Sequence, residues 1–470
     1  MDRHYFIALL VLFVPALVLS ADRPNIVFML SDDQGWNGLS VAMHPDVPGS
    51  KSDFFHTPNL EKFAAEGMRF SAAYAPAPVC SPTRASLLTG KSPAQLHWTK
   101  AAPPETGHKL LEPKLIKSLS KDQVTIAEQL RGVGYATAHY GKWHVAGGGP
   151  GQHGFNEHDG DTGNENAFQF KDPNPVDIFG MADRAAEFME KNSKAGKPFF
   201  IQLSWNALHA AENALNVTRA KYQNLSSGRD SKRADVAAIT EDLDTGVGRV
   251  LQSIDRLGLG SKTYVIYMSD NGSGGGKRGG LSGGKGSLWE GGVRVPLIVR
   301  GPGIRPNSWC HTSVVGYDLF PTLCEWAGLS ATSLPNGLEG GSLVGLLANG
   351  GQGDVKRLRD GIVFHFPHYQ ASDGPHSAIL LGNLKLLKFY EDDHVALFDL
   401  SNDIGERNDL SARLTMEASD LHRKLEEGLK SIDAQMPKPN PQYDPSQPSE
   451  PEREKRGGKG KKSEKKKEKK

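Results

Sequence analysis

Two apolar runs, each ending in the same kind of polar cluster, constrain this chain more than any other feature. Asn25-Ile26-Val27-Phe28-Met29-Leu30 leads into Ser31-Asp32-Asp33-Gln34-Gly35, and Thr263-Tyr264-Val265-Ile266-Tyr267-Met268 leads into Ser269-Asp270-Asn271-Gly272. A nearly unbroken apolar hexamer is the pattern of a strand covered on both faces. Such strands need helices on both sides of their sheet, and candidate helices lie between the two runs: Pro58 to Glu66, Thr125 to Arg131, Ala182 to Glu190 and Ala234 to Arg256. The last carries Val236, Ile239, Leu243, Val247, Val250, Leu251 and Ile254 on one stripe, the spacing of a core-facing helix. The expected fold class is therefore α/β, a large and mostly parallel sheet between helix layers. In open sheets of this kind the functional groups collect beyond the carboxyl ends of the strands. Adjacent carboxylates at such a place repel one another unless a cation neutralises them, and hard oxygen ligands suit Ca²⁺ or Mg²⁺. Asp32, Asp33, Asp270 and Asn271 are thus a candidate cation site spread over two neighbouring strands. Either cluster alone reads equally well as a solvated turn.

Cys80-Ser81-Pro82-Thr83-Arg84-Ala85-Ser86-Leu87-Leu88-Thr89-Gly90 is the second informative stretch. Pro82 suits the first turn of a helix, and Gly90 suits its end. Cys80 then stands at a helix start, where free N–H groups favour an anion, and Arg84 follows one turn later on the same face. On spacing alone the cysteine is a low-pKa nucleophile, half of a disulfide or a buried filler, and the last two together outweigh the first. Further strand-like runs end in Gly141-Lys142-Trp143-His144 and in Ser204-Trp205-Asn206-Ala207-Leu208-His209. Lys142 and His144, two residues apart, suit one side of an extended segment. A glycine-dense polar stretch from Ser273 to Gly286 reads as a mobile loop without the lysine pattern of a P-loop.

Cys-Ser-Pro-Thr-Arg followed by Ala-Ser-Leu-Leu-Thr-Gly resembles the signature of the type I sulfatases, a family within the alkaline phosphatase superfamily. The resemblance runs from Pro24 to about Leu410 and implies an alkaline phosphatase-like fold and hydrolysis of sulfate esters. It implies that Cys80 is oxidised by a maturation enzyme to formylglycine, whose hydrate is the nucleophile held by Arg84. Asp32, Asp33, Asp270 and Asn271, with the residue derived from Cys80, match the family's calcium ligands. Lys142 and His144 match a motif whose lysine binds sulfate and whose histidine assists the hydrate. Gly284-Lys285-Gly286 with Ser287-Leu288-Trp289-Glu290-Gly291-Gly292-Val293-Arg294 matches the segment of the second sulfate-binding lysine, here Lys285, with Lys277 its competitor and Glu290 and Arg294 in structural roles. His209 matches in placement the histidine that meets the sulfate ester, although Ala207-Leu208 depart from the usual residues before it. A serine or histidine that sometimes follows the lysine motif has no clear counterpart, with His153 and Asn164 nearby. The implied partners are a sulfated small molecule or glycan and the maturation enzyme. A phosphate or phosphonate ester hydrolase of the same superfamily, and a catalytically silent glycan-binding protein, are the alternatives.

Residues 1–20 read as an export signal, with Arg3 and His4 before an apolar run and small residues after it. No other stretch is long enough to span a bilayer, so a secreted or periplasmic location is expected. The catalytic domain is expected over residues 21–354. A smaller subdomain over 355–436 should pair Ile362 to Phe366, Ala378 to Leu381, Leu384 to Tyr390 and Val395 to Leu400 as an antiparallel sheet, with a helix from about Leu414 to Ile432 packed on it. His365 and His368 fall in this subdomain, where core or surface roles are expected ahead of the alternative the resemblance offers, a place at the border of the substrate pocket. If Cys80 is converted, Cys310 and Cys324 remain to pair, or Cys324 is simply core. Asn216, Asn224 and Asn271 stand in glycosylation triplets. Residues 437–470 are Pro-rich and then Lys-rich, a composition read as disordered. From Pro451 to Lys470 eleven Lys/Arg face four Asp/Glu, a balance of +7, so the formal net charge of +1 leaves −6 on the rest of the chain. A mildly acidic body is no footprint for nucleic acid.

Overall fold

The structure, a computed structural model, describes residues 23–209, 212–225, 231–275, 278–447 and 449–451. The expected export signal, Lys277 and the Lys-rich stretch after Pro451 lie outside the described residues. Eight strands form the central sheet: β1 (Asn25–Ser31), β2 (Met68–Phe70), β3 (Ala136–Gly141), β4 (Glu157–His158), β5 (Phe199–Ser204), β6 (Thr263–Ser269), β7 (Leu297–Arg300) and β8 (Ser308–Cys310). Their spatial order is β8-β2-β7-β6-β1-β5-β3-β4. Within the sheet only β7 runs antiparallel to its neighbours. The two runs that opened the sequence reading are adjacent parallel strands, paired from Asn25 with Thr263 through Ser31 with Ser269.

Successive residues of these strands feed opposite cores, as the period of two requires. Val27, Met29, Val265 and Tyr267 pack on one face, beneath α1 (Pro58–Ala65), α4 (Ile178–Lys194) and α5 (Ser231–Arg256). Ile26, Phe28, Leu30, Ile266 and Met268 pack on the other, beneath α2 (Cys80–Thr89), α3 (Ile126–Gly132) and α6 (Leu319–Trp326). Because both faces are covered, the strands carry no polar alternation. The α1 start is closed by a buried carboxylate from another helix: Asp244 accepts hydrogen bonds from the Asn59 and Leu60 amides at 3.0 and 2.8 Å. Gly90 ends α2 in the left-handed region at φ 70°, where a side chain would also meet Phe320 and Leu338.

The C-terminal sheet is antiparallel, β9 (Ile362–Phe366), β10 (His376–Leu381), β11 (Leu384–Phe389) and β12 (Val395–Asp399) in that order. One face, with Phe364, Phe366, Leu387 and Phe398, packs on Ala77, Val79, Leu288 and Val293 of the larger body. Val363, Ile379, Leu386 and Leu397 on the other face take the apolar stripe of α7 (Thr415–Ser431).

Two expectations are corrected. Lys438–Pro439 pairs with Leu110–Leu111 and Glu450–Pro451 with Glu105–Thr106, so disorder does not begin at Pro437. The glycine-dense stretch is packed from Arg278 onward: a Cβ on Gly283 would lie 2.5 Å from Trp289. Of the two readings left open for the remaining cysteines, the core role holds: Cys310 and Cys324 are both buried free thiols. Asn271 is fully buried, whereas Asn216 and Asn224 are exposed. No helix among the described residues is long and apolar enough to cross a membrane.

His365 is enclosed between Ser377 Oγ at 2.6 Å and the Gln435 carbonyl at 2.9 Å, and burial pushes its imidazole down to about 4. The unfolded chain binds this proton near the ordinary value of 6.5, so the native state binds fewer protons between the two values. Stability is therefore lost as pH falls from about 6.5 towards 4, by up to roughly 3 kcal/mol for this group. Urea unfolding across that window should show the decline, and His365→Gln should make it shallower by this group's share, the other buried histidines keeping the rest.

Candidate active site

The register of β1 and β6 decides the site. Ser31 and Ser269 are partners, so Asp32-Asp33 and Asp270-Asn271 leave the sheet side by side. The Asp270 amide donates to the Ser31 carbonyl at 3.0 Å, and the Asp33 amide donates to Asp270 Oδ1 at 3.1 Å. Asp33 turns the chain with φ 58°. Gly272 is required directly after Asn271, since a Cβ there would lie 2.0 Å from the Gly291 carbonyl oxygen. Carboxylate oxygens of Asp32, Asp33 and Asp270 lie within 4.8 Å of one another. Asp32 Oδ1 and Asn271 Oδ1 are buried with no hydrogen-bond partner. Orphaned buried acceptors of this kind are rare, and together with the clustered carboxylates they make a hard-oxygen donor set that fits a divalent cation.

Each carboxylate is matched by one cation from a different element. Lys142 Nζ, at the end of β3, donates to Asp32 Oδ2 at 2.5 Å. Arg84, one turn into α2, donates from Nε and Nη2 to Asp270 Oδ2 at 3.1 and 2.8 Å, and from Nη1 to the Lys142 carbonyl at 2.7 Å. Lys285 Nζ sits 2.7 Å from Asp33 Oδ1. Burial alone would raise Asp32, but Lys142, Arg84 and Lys285 hold it well below the usual carboxylate range. Burial and the neighbouring Asp32 charge push Asp270 up to about 7.

Cys80 opens α2 among these charges, with Lys142, Asp32, Asp270 and Lys285 all acting on it. It is 3% exposed, and burial raises its thiol, so it is no low-pKa thiolate. The approach to the helix is held by Thr83, whose Oγ1 donates to the Ala77 carbonyl at 3.1 Å. Gly286 donates its amide to the Pro78 carbonyl at 2.9 Å, which brings Lys285 beside the start of α2.

The histidines arrive by turns. β3 stops at Gly141, and His144 adopts φ 57°, so Lys142 and His144 converge through a left-handed turn and not along an extended segment. The His144 amide donates to the Thr162 carbonyl at 2.8 Å, and its Nδ1 lies 3.2 Å from Ser81 Oγ. Burial, with Lys142 and Arg84, pushes His144 down to about 3, leaving a neutral imidazole. His209 follows β5 with its amide bonded to the Asn206 carbonyl at 2.8 Å, near enough to Asp32 and His144 to interact with them electrostatically. Every residue singled out for the site thus gathers at the ends of β1, β3, β5 and β6, at α2 and in the loop before Glu290. Sequence reasoning missed Ser81, which stands inside the quoted signature, and Thr162, for which no local pattern exists. His365 and His368 are buried and bonded to Ser377, Gln435, Thr99 and Glu112, apart from the acidic cluster.

Comparisons with known proteins identify the family. The Sulfatase family profile matches residues 24–329, and a profile described as N-sulphoglucosamine sulphohydrolase, C-terminal, matches residues 284–435. Bovine arylsulfatase A is 31% identical over 389 residues, covering 73% of this chain and 71% of its own length. A sulfatase of Formosa agariphila is 29% identical over 500 residues, covering 87% of this chain and 88% of its own. The crystal structure of Ps i-CgsB in complex with k-i-k-neocarrahexaose superposes with a TM-score of 0.72 at 24% identity, covering 87% of this chain and 93% of that one. The family match and the fold make this a sulfuric ester hydrolase with an alkaline phosphatase-like architecture. The chain belongs to the sulfatase family.

The Lys285 loop rests on a buried ion network that Glu290 and Arg294 were expected to serve structurally. Glu290 accepts from Arg294 Nε at 2.5 Å and from Lys385 Nζ at 2.8 Å, and Lys385 also meets Glu406 at 2.8 Å. Removing Lys385 would leave buried Glu406 without a cation and Glu290 with Arg294 alone. Lys385→Met should destabilise the protein by about 3–5 kcal/mol, read as a lowered urea midpoint.

Proposed function

We propose that this sulfatase hydrolyses sulfate esters of a carbohydrate outside the cytoplasm, using a formylglycine made from Cys80 and a calcium ion held by Asp32, Asp33, Asp270, Asn271 and the converted residue. The observation that carries this reading is charge matching around Cys80. Three carboxylates are balanced by Arg84, Lys142 and Lys285, while two buried oxygens stay unpartnered. A divalent cation at those oxygens converts a neutral cluster into one carrying about two positive charges, which suits a sulfate anion. When bound, these groups supply an aldehyde-hydrate nucleophile and Lewis-acid polarisation of the sulfate oxygens.

The chain's own residues then have distinct tasks. Lys142 and Lys285 neutralise sulfate oxygens whose charge grows in the transition state. Arg84 keeps α2 locked to the ends of β3 and β6, so that residue 80 stays at the anion site. His144, neutral and oriented through Nδ1 by Ser81, is poised to take a proton at Nε2. His209, which follows β5, is assigned the proton donation that the leaving alcohol needs. Residues 21–354 would hold this machinery and 355–436 would support it. Carbohydrate as the alcohol is favoured by a structural neighbour bound to neocarrahexaose and by another, 20% identical with a TM-score of 0.64, bound to its substrate D-glucosamine-2-N,6-O-disulfate. The leader-like first twenty residues favour export.

Mass spectrometry of the peptide containing Cys80, after co-expression with a formylglycine-generating enzyme, should find an aldehyde in place of the thiol. Cys80→Ala should abolish turnover while the protein still unfolds in a cooperative thermal transition, and full retained activity would falsify the mechanism. His144→Ala should lower kcat by roughly 10²–10⁴-fold. Chelation should lower the melting temperature and Ca²⁺ should restore it, by about 2.7 kcal/mol of stability at a hundredfold excess over Kd. A phosphate ester cleaved faster than the sulfate ester of the same alcohol would overturn the choice of substrate.

A further inference from the structure

Lys142 and His144 are delivered by a turn whose shape the chain alone does not favour. Gly141 has φ 90° and His144 φ 57°, and a residue other than glycine stays in the left-handed region only where its surroundings over-determine it. Most of that determination comes from one loop, residues 159–162. Asp159 Oδ2 accepts the Gly141 amide at 2.7 Å. Thr162 Oγ1 donates to the Gly141 carbonyl at 2.5 Å and accepts the Trp143 amide at 3.0 Å, so its hydroxyl serves as donor and acceptor at once. The Thr162 carbonyl takes the His144 amide at 2.8 Å. Lys142, between these residues, donates its amide to the Ser204 carbonyl at 2.7 Å and accepts Arg84 Nη1 on its own carbonyl at 2.7 Å.

Asp159 is itself anchored. Its Oδ2 also accepts Arg184 Nη2 at 2.8 Å, and the same nitrogen of Arg184 donates to Asp177 Oδ2 at 2.6 Å. Arg184 belongs to α4, and its guanidinium lies 5.5 Å from the centre of the Tyr140 ring in β3. An ionised acceptor holds the Gly141 amide more strongly than a neutral one, and the guanidinium fixes where that acceptor stands. The turn is therefore gripped from both faces of the sheet. Arg84 of α2 reaches it from one side, and Asp159, braced by Arg184 of α4, reaches it from the other.

These bonds all end on backbone atoms of the turn, yet what they set is the position of two side chains. Lys142 Nζ stands 2.5 Å from Asp32 Oδ2, and His144 Nδ1 stands 3.2 Å from Ser81 Oγ. Groups that meet a reacting sulfate must be placed to within about an ångström, and an error of that size costs on the order of 10²-fold in rate. Rotating the Gly141 peptide or relaxing the left-handed turn at His144 would move both groups together. Preorganisation of this kind matters most in the transition state, where the charge on the sulfate oxygens is greatest.

We propose that Asp159 and Thr162 are positioning residues for sulfate-ester hydrolysis, clasping the backbone of residues 141–144 so that Lys142 and His144 meet the sulfate, with Arg184 holding Asp159 in place. This rests on the roles given to Lys142 and His144 in the proposed function. The matured full-length enzyme is compared with two pairs of variants on one sulfate ester that it turns over. Thr162→Val keeps the shape and loses both hydroxyl bonds, whereas Thr162→Ser keeps them. Asp159→Ala loses the acceptor for Gly141, whereas Asp159→Asn keeps an oxygen there. Thr162→Val and Asp159→Ala should each lower kcat by about 10- to 100-fold while KM moves by less than about threefold. Thr162→Ser and Asp159→Asn should stay within about threefold of the parent. In a His144→Ala background the kcat cost of Thr162→Val should shrink by about threefold or more, because one of the two groups it places is gone. A parental kcat in Thr162→Val overturns the proposal, as does an equal loss in Thr162→Ser or an equal cost in both backgrounds, either of which marks a merely structural contact. A loss confined to KM overturns it in favour of direct contact with the substrate. Should Asp159→Ala not fold, the Thr162 pair decides alone. Lys142→Ala and His144→Ala measured alongside separate the two readings: parental kcat in these defeats the functional assignment, whereas their loss with none in Thr162→Val defeats only the positioning.

Discussion

Gathering buried Asp32 and Asp270 with half-buried Asp33 at the ends of two adjacent strands is the constraint on which the rest of this structure depends. Like charges within 4.8 Å in a dry environment cannot all stay ionised without compensation. The compensation comes from three separate elements: Arg84 from α2, Lys142 from the end of β3 and Lys285 from the loop before Glu290. Each ion pair fixes one element against the β1–β6 pair, so the electrostatic requirement also serves as an assembly jig. Removing any one cation would leave a buried carboxylate uncompensated, the costly half of a broken buried pair.

The C-terminal subdomain takes part in this assembly from outside. Its sheet packs an apolar face on Ala77, Val79, Leu288 and Val293, the segments that carry Cys80 and Lys285. Lys385 reaches down to Glu290, and His376 Nε2 accepts the Leu288 amide at 2.8 Å. The C-terminal profile match begins at residue 284, well before the expected boundary at 354, in keeping with this shared core. The loop bearing the second lysine is as much a part of the subdomain's footing as of the larger body.

Much of this was legible in the chain because the relevant patterns are local. Buried strands announce themselves by unbroken apolar runs, and α5 and α7 by their stripes. The start of α2 at Cys80 and its stop at Gly90 follow from proline and glycine chemistry. The misreadings share one physical origin. Pro-rich composition after Pro437 says nothing of the strand edges at Glu105 and Leu110 waiting to pair with it. Glycine density from Ser273 suggests mobility only until Gly283 and Gly286 are seen wedged against Trp289 and Gln370. Thr162 holds His144 through its carbonyl oxygen, a contact that any residue type could make and that no motif can report.

By itself the sequence determined the layered α/β class, the helix that begins at Cys80, and the chemical identity of the site groups. Those follow from side-chain periodicity, backbone preferences and a signature of eleven consecutive residues. The tertiary structure decided which groups meet. Asp32 and Asp270 become neighbours only because Ser31 pairs with Ser269 across 238 positions of chain, and Lys142 and His144 converge only because Gly141 and His144 turn left-handed. Pairing register and turn handedness depend on contacts between distant segments, which leave no local trace. Cys80 is therefore readable from the sequence as a marked residue, but only the fold surrounds it with three carboxylates, three cations and two oxygens still lacking a partner.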